Sequence, residues 1–250
     1  MNLRKFRRIG DVTNADISDI WDRLAPSRYW HVKTGKDRSY TEVLFPLVED
    51  FVKKQGGGRL IDAGCGVGFL SRAASRYFES VDAIDLSPTS ISIAREENYA
   101  KNVRYHAGSI ESFSQGGIKY DALVSSMVLM DCLDHRAFLD SCFAVLKPGA
   151  RMMFTLCHPF FWPRYWGFEK YSWFVYNSEI AIESNFRTSS TGLSDSKTIY
   201  FHRPISSYIN ALSSGRASIV GVREVSGLSV NSRILDRFPR YLAIEAVRMT

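Results

Sequence analysis

The sequence predicts an α/β protein built on a parallel sheet, and three observations carry that prediction. Short apolar runs alternate with helical patterns from Arg59 to Leu156, a rhythm that implies parallel strands joined by right-handed crossovers. The run Ala150–Leu156 is nearly continuous in apolar residues, as expected of a central strand covered on both faces. Between the first strand and the first helix of the rhythm lies Asp62-Ala63-Gly64-Cys65-Gly66-Val67-Gly68. Its three glycines allow a sharp turn and the close approach of a ligand to main-chain atoms.

Taken in order, residues from about Ile17 to Lys54 read as helical, with breaks near Pro26 and Pro46. Arg59–Ala63 reads as a strand, Gly68–Phe78 as a helix and Val81–Asp85 as the second strand. Ser87 caps a helix whose first turn holds Pro88 and which runs to about Tyr99. Val103–His106 and Asp121–Ser125 are the third and fourth strands. Arg136–Leu146 is a helix that stops at Lys147-Pro148-Gly149, before the fifth strand. The rhythm breaks at Cys157, and from Phe160 to Phe201 aromatic residues are frequent without a convincing helical pattern. Alternation at Ile180 and Ile182, then at Thr198 and Tyr200, predicts short antiparallel strands, with polar Thr188–Ser196 as a turn or loop tip. A helix resumes over Ile205–Leu212, followed by strands at Ala217–Val225 and Tyr241–Val247. The aromatic block therefore reads as an insertion into one domain covering residues 1–250, with an N-terminal helical lid (1–54), a core (55–158), the insertion (159–203) and the remainder of the core (204–250).

Composition narrows the function classes. Apolar content of 45% and charged content of 23% are ordinary for a soluble globular protein, and no apolar run is long enough to span a bilayer. The formal charge of +6 is concentrated in Arg4, Lys5, Arg7 and Arg8, which leaves +2 for the rest of the chain. That pattern reads as a solvated basic tail, so nucleic acid is disfavoured as a partner. No apolar segment of signal-peptide type follows the basic residues, and Cys65, Cys132, Cys142 and Cys157 are scattered without metal-like spacing. The expectation is a cytoplasmic protein with reduced thiols and no metal.

The glycine turn lacks the pattern of a dinucleotide site, because Phe69 stands where a third small residue is needed, and it lacks the lysine of a phosphate loop. Asp62, ending the first strand, suits a cationic group better than a phosphate. Asp85 ends the second strand, 21 residues after Gly64, where a carboxylate accepts both hydroxyls of a ribose. S-adenosyl-L-methionine meets both conditions, carrying a ribose and an ammonium group and no phosphate.

With these parts in this order, roughly residues 55–160 resemble the class I S-adenosyl-L-methionine-dependent methyltransferases. Asp62–Gly68, with Gly64, Cys65 and Gly66, looks like the family's methionine-binding turn, and Val81–Ser87, with Asp85 and Leu86, like its ribose-binding strand. His106–Glu111 resembles the segment that faces the adenine; Ser109 and Ile110 occupy those positions, with Ser109 where the family usually carries Asp. Tyr120–Ser126, including Ser125, matches the fourth strand, and Leu146–Ala150 the turn into the fifth. The segment around Trp21, Tyr29, Trp30, Arg38 and Tyr40 resembles the family's helical lid, with Tyr29 and Arg38 placed to reach the methionine carboxylate or the substrate. The resemblance implies a Rossmann-like, seven-stranded, mostly parallel sheet with an antiparallel final hairpin and helices on both faces. It also implies direct in-line methyl transfer from S-adenosyl-L-methionine.

Candidates for a base or an acceptor-orienting group are His158, directly after the fifth strand, Asp131, after the fourth, and His202, at the return from the insertion; a capping role for Asp131 and a structural one for His202 are the alternatives. For His158 a structural role, holding the first turn of the insertion, is the alternative. Met127, Phe161, His202 and Arg203 are candidate substrate contacts, Arg203 as a clamp for an anion. The aromatic insertion reads either as the wall of an acceptor pocket or as a satellite core or homodimer contact. A small-molecule acceptor, with O- or N-methylation in specialised-metabolite biosynthesis, is the leading expectation. An RNA or protein methyltransferase, a non-catalytic cofactor-binding regulator and a nicotinamide-dependent reductase remain as alternatives.

Overall fold

The computed structural model describes residues 6–186, 196–214, 216–228 and 237–250. In chain order the strands are β1 (Arg7–Ile9), β2 (Arg59–Ala63), β3 (Ser80–Asp85), β4 (Val103–Ala107), β5 (Tyr120–Ser126), β6 (Leu146–Cys157), β7 (Ile180–Asn185), β8 (Lys197–His202), β9 (Ala217–Ser226) and β10 (Pro239–Arg248). The helices are α1 (Asn14–Lys33), α2 (Phe45–Lys54), α3 (Phe69–Ala74), α4 (Pro88–Glu97), α5 (Ile110–Phe113), α6 (His135–Ala144), α7 (Trp162–Trp166) and α8 (Ile205–Leu212). A π-helical turn, Ser39–Leu44, leads into α2.

The main sheet has seven strands in the order β4-β3-β2-β5-β6-β10-β9. The strands β2 to β6 run parallel, and β10 is antiparallel to both β6 and β9. Period-two alternation divides the strand side chains between two cores. Leu60, Val81, Ala83, Val124 and Met153 face α2, α3 and α4 through Phe51, Leu70 and Ile91. Ile61, Ile84, Leu123, Met152 and Phe154 face α6 and α8 through Phe138, Phe143, Tyr208 and Leu212. Both faces of the central strands are therefore covered, as their apolar runs require.

A second sheet, β1-β7-β8, stands apart from the first. Its β7 and β8 are the antiparallel strands expected in the insertion. Helix α1 packs on β8, burying Ile17, Ile20 and Leu24 against Ile199 and Phe201. Phe201 N–H also bonds Met130 O at 2.8 Å, which ties this roof to the loop after β5.

Several local expectations are corrected. Pro26 lies inside α1 and does not break it; apolar burial on β8 outweighs the lost backbone bond, which costs about 3 kcal/mol. The chain breaks instead between Lys33 and Arg38, and Pro46 does not break it, standing in the first turn of α2 just after the π-helical turn Ser39–Leu44. Helix α3 ends at Ala74, not Phe78, and Lys147-Pro148-Gly149 falls within β6 rather than before it. The insertion does contain a short helix, α7. Arg7 and Arg8, expected in a solvated tail, form β1 on the edge of β7. Arg4, Lys5 and all of the expected loop tip Thr188–Ser196 except Ser196 lie outside the described residues. Among the described residues no helix is long and apolar enough to cross a membrane.

Candidate functional site

A cavity of about 730 Å³ runs along the C-terminal ends of the parallel strands and beneath the roof formed by α1 and β8. Its volume is that of a site for one or two small molecules. One end is built by the turn after β2 and by the end of β3. Asp85 accepts the N–H of Gly66 at 2.8 Å on one carboxylate oxygen and the N–H of Ser87 at 2.9 Å on the other. Those bonds fix the carboxylate while each oxygen keeps a further lone pair for a ligand hydroxyl. Burial raises the Asp85 carboxyl above its ordinary value, against the two backbone bonds.

Gly64 and Gly66 both need the left-handed backbone, at φ +82° and +53°. They differ in what surrounds them. A Cβ on Gly64 would lie 2.3 Å from a methyl of Val128, whereas one on Gly66 would meet nothing within 4 Å. Gly64 is thus required by packing, and Gly66 leaves open space beside the cavity. Asp62 is buried and takes a 2.6 Å hydrogen bond from the Ser71 hydroxyl. Burial, with a smaller push from Asp85, raises its carboxyl to about 7 despite that bond. A buried carboxyl of this kind fits a cationic ligand group, whose charge would favour its ionised form.

Leu86, Cys65, Ser109 and Ile110 also line this end, although the Ser109 hydroxyl is occupied as the N-cap of α5, accepting Ser112 N–H at 3.2 Å. Ser125 departs from expectation. Its hydroxyl donates to Ala63 O at 2.8 Å as a buried tie between strands, and its neighbour Ser126 lines the cavity. After β5 the backbone turns through Met127 at φ +63°, and Met127 and Val128 line the middle of the cavity.

Asp131 lies on the same loop and lines the cavity, as expected. Its carboxyl has no hydrogen-bond partner among the described residues, and burial raises it well above the usual carboxylate range, opposed in part by Arg203. His158 does not join it. Strand alternation turns Cys157 toward the cavity and His158 away, and the His158 ring is buried with Nε2 3.0 Å from the Glu224 carboxylate.

The other substrate candidates are also displaced. Phe161 stacks on Phe238 and lies outside the cavity lining. His202 is buried among Phe168, Phe174 and Tyr176, with Nε2 2.9 Å from Tyr176 O. Arg203, fully buried, clamps protein rather than a ligand. It donates to Glu179 at 3.0 Å, to Leu129 O at 3.3 Å, and to Cys132 O and Leu133 O at 2.8 Å each. These bonds hold the loop that carries Asp131.

In the N-terminal segment, Tyr29 hydrogen-bonds Glu97 and stacks on Phe69 at 5.7 Å, and Arg38 pairs with Glu42 at 2.6 Å on the surface. Neither lines the cavity. The helix instead presents Trp21, Ala25, Arg28 and Val32, a stripe at spacings of three and four that was visible in the sequence. Arg28 is ion-paired with Asp37. From the insertion, Trp162, Tyr165, Trp166 and Tyr200 form an aromatic wall, which Arg240 and Tyr241 of β10 complete. Phe6 packs on Trp166, Phe168 and Tyr171, and Phe168, Trp173 and Phe174 join the larger core of the molecule, whereas Phe160 and Phe161 pack on Tyr176 and Phe238.

Residues 61–154 match the family described as a methyltransferase domain. The chain is 36% identical over 155 residues to a ubiquinone biosynthesis O-methyltransferase from Methylocella silvestris, covering 60% of each protein. It thus spans little more than half the length of the curated relatives it matches. An S-adenosylmethionine-dependent methyltransferase from Mesorhizobium loti superposes with a TM-score of 0.60 at 20% identity, over 80% of this chain and 96% of that one. A 1,6-didemethyltoxoflavin-N1-methyltransferase from Burkholderia thailandensis, solved with bound 1,6-didemethyltoxoflavin and S-adenosylhomocysteine, superposes with a TM-score of 0.63 at 13% identity, over 100% of this chain and 97% of that one. These likenesses establish the architecture.

Proposed function

We propose that this chain, which has the class I methyltransferase fold around a methyltransferase-domain core, transfers a methyl group from S-adenosyl-L-methionine to a small molecule. The observation that carries the reading is the one continuous cavity. It joins a pinned carboxylate, Asp85, and a buried carboxyl, Asp62, to an aromatic chamber that begins at Asp131. Bound S-adenosyl-L-methionine would supply an electrophilic methyl on its sulfonium. Asp85 holds the ribose hydroxyls, the turn Gly64–Gly68 cradles the methionine end, and Asp62 complements its ammonium. Leu86, Ser109 and Ile110 flank the base.

At the other end Asp131 orients the acceptor; a bound sulfonium cation would favour its ionised form, and in that form it receives the proton of an acceptor that arrives protonated. The aromatic wall and the roof exclude water and set the acceptor in line with the methyl group, which is the main contribution required when the leaving group is already good. Enclosure beneath α1 and β8 favours a small molecule over a polymer. The reading extends to O- or N-methylation in specialised-metabolite biosynthesis, in a cytoplasm that keeps the four cysteines reduced.

Calorimetry with S-adenosylhomocysteine tests the donor half: micromolar binding is expected, with a loss of at least about tenfold in Asp85→Ala, which removes a charged hydrogen-bonding group. Equal affinity for a nicotinamide dinucleotide would refute it. Transfer of labelled methyl to a fractionated small-molecule pool tests the acceptor half, and label appearing only in RNA or protein would overturn it.

A further inference from the structure

We propose that the acceptor is an organic amine, drawn in as its ammonium form between the aromatic wall and Asp131, which takes its proton before methyl transfer. The inference deepens the reading of the cavity as a methyl-transfer site and rests on it. The lining is acidic. Among the described residues it holds the carboxyls of Asp37, Asp62, Asp85, Glu111, Asp131 and Asp134, against the guanidiniums of Arg28 and Arg240, with no lysine or histidine. Arg28 is ion-paired with Asp37, and Arg240 lies 4.2 Å from the centroid of the Tyr165 ring and has further partners in the chain.

With Asp62 and Asp85 assigned to the donor, three carboxyls remain at the acceptor end, and they are not equivalent. Asp134 caps α6, accepting the N–H groups of Arg136 at 2.9 Å and Ala137 at 3.0 Å. Glu111 is half-buried in the first turn of α5. The Asp131 carboxyl accepts no hydrogen bond among the described residues. Arg203 favours its ionised form, but the N–H groups of that side chain are directed at Glu179 and at the carbonyls of Leu129, Cys132 and Leu133. A buried carboxyl in this state is complemented by a cation.

The aromatic wall begins beside it. The bond from Phe201 N–H to Met130 O sets Tyr200 next to Asp131, and both line the cavity. Ring contacts continue from Tyr200 to Trp166 at 6.4 Å, to Trp162 at 4.7 Å and to Tyr165 at 5.5 Å. Ring faces and a carboxylate together are the surfaces that attract an alkylammonium. An acceptor that arrives as an anion would instead face a like charge at Asp131.

The chemistry follows from the charge. At neutral pH an amine arrives protonated, with its lone pair occupied. The proton passes from nitrogen to the Asp131 carboxylate, leaving a neutral amine and a neutral carboxyl. The freed lone pair bonds the methyl carbon while the carbon–sulfur bond breaks and its electron pair stays on sulfur. The products are an N-methylammonium and S-adenosylhomocysteine, and Asp131 returns its proton to solvent when they leave.

The test measures binding of tryptamine, tryptophol and indole-3-acetate, one indole body carrying a cation, a neutral hydroxyl or an anion, at neutral pH with saturating S-adenosylhomocysteine. The wild-type chain is expected to prefer tryptamine over tryptophol by roughly tenfold, the worth of a hydrogen bond to a charged group. Indole-3-acetate should bind most weakly. Asp131→Asn should bring tryptamine and tryptophol to parity with S-adenosylhomocysteine affinity unchanged, and Asp131→Glu should retain part of the preference. Equal responses to all three probes in the wild type, including no response, would overturn the proposal, as would a preference that survives Asp131→Asn. In the fractionated pool, labelled methyl should appear on compounds retained by a cation exchanger and withstand mild alkali, which strips a methyl ester. Label confined to neutral or acidic small molecules would overturn the amine and leave the small-molecule reading standing. Failure of S-adenosylhomocysteine to bind would instead refute the donor assignment, and is read separately from the probe series.

Discussion

Asp62 shows how burial of a single side chain sets both stability and ligand chemistry. Its carboxyl titrates at about 7 because burial disfavours the charged form more than the Ser71 hydroxyl favours it. Since this folded value lies above the unfolded one, the folded chain holds an extra proton between about pH 4 and pH 7. The stabilisation is full below pH 4 and is lost as pH rises through 7. Asp62→Asn, which stays neutral, is therefore expected to raise the melting temperature relative to wild type at pH 8 and to have little effect at pH 4, measured on the ligand-free protein. The same sign governs binding. A cationic ligand needs the ionised carboxylate, so S-adenosylhomocysteine affinity should fall as pH drops from 7 to 6, with proton release visible in buffers of different ionisation enthalpy. No linked proton in that range would show that Asp62 does not meet the ammonium. Gly64 is governed by space as well as by φ. Gly64→Ala should lower the melting temperature sharply, and adding Val128→Ala should recover the steric part. The strain of a left-handed non-glycine residue, roughly 1–2 kcal/mol, would remain.

Among the secondary-structure elements, β8 and the loop after β5 are joined by Arg203, and that junction is what places Asp131. Arg203→Met removes the donors to Leu129, Cys132 and Leu133 and leaves Glu179 with solvent on one side. The expected cost is on the order of 2–3 kcal/mol in thermal unfolding. S-adenosylhomocysteine affinity should be retained, and an acceptor whose proton goes to Asp131 should lose kcat more than KM. Arg203→Lys, with one point charge in place of a fork, should rescue only part. An unaltered kcat in a folded Arg203→Met chain would separate that loop from the chemistry. The same scale explains which site residues were legible in the sequence. Asp62, Gly64, Gly66, Asp85 and Asp131 follow from strand-end and turn grammar that is local. The residues that shifted did so by the phase of their elements. Ser126 replaces Ser125 and Cys157 replaces His158, one residue being enough to change the face of a strand. Arg28 replaces Tyr29 because one residue rotates a helix by about 100°. Which face meets the cavity depends on the roof, and that depends on contacts between segments more than 150 residues apart, such as Arg7 with Glu183. No local pattern carries that information.

On the proposed reading, the core sheet would carry the donor groups and the roof would cover the acceptor. Asp62 and Asp85 stand on β2 and β3, whereas Trp166 and Tyr200 come from the insertion. The roof is fastened from the chain's start: Phe6, immediately before β1, is buried against Trp166 at 5.9 Å, Phe168 at 5.3 Å and Tyr171 at 6.3 Å between ring centroids. Removing that ring leaves a void beneath the wall of the acceptor chamber and touches nothing at the donor end. Phe6→Ala is accordingly expected to destabilise the chain by about 3–5 kcal/mol, the range for truncating a buried phenylalanine. Its effects on binding and transfer should be unequal. Affinity for S-adenosylhomocysteine should stay within about twofold of wild type, since no donor contact moves. Transfer of labelled methyl to the small-molecule pool should fall several-fold as Trp166 loses its backing. Equal losses of binding and transfer in a folded Phe6→Ala chain would mean that roof and core move as one body, and that the donor site is itself held in shape by the insertion.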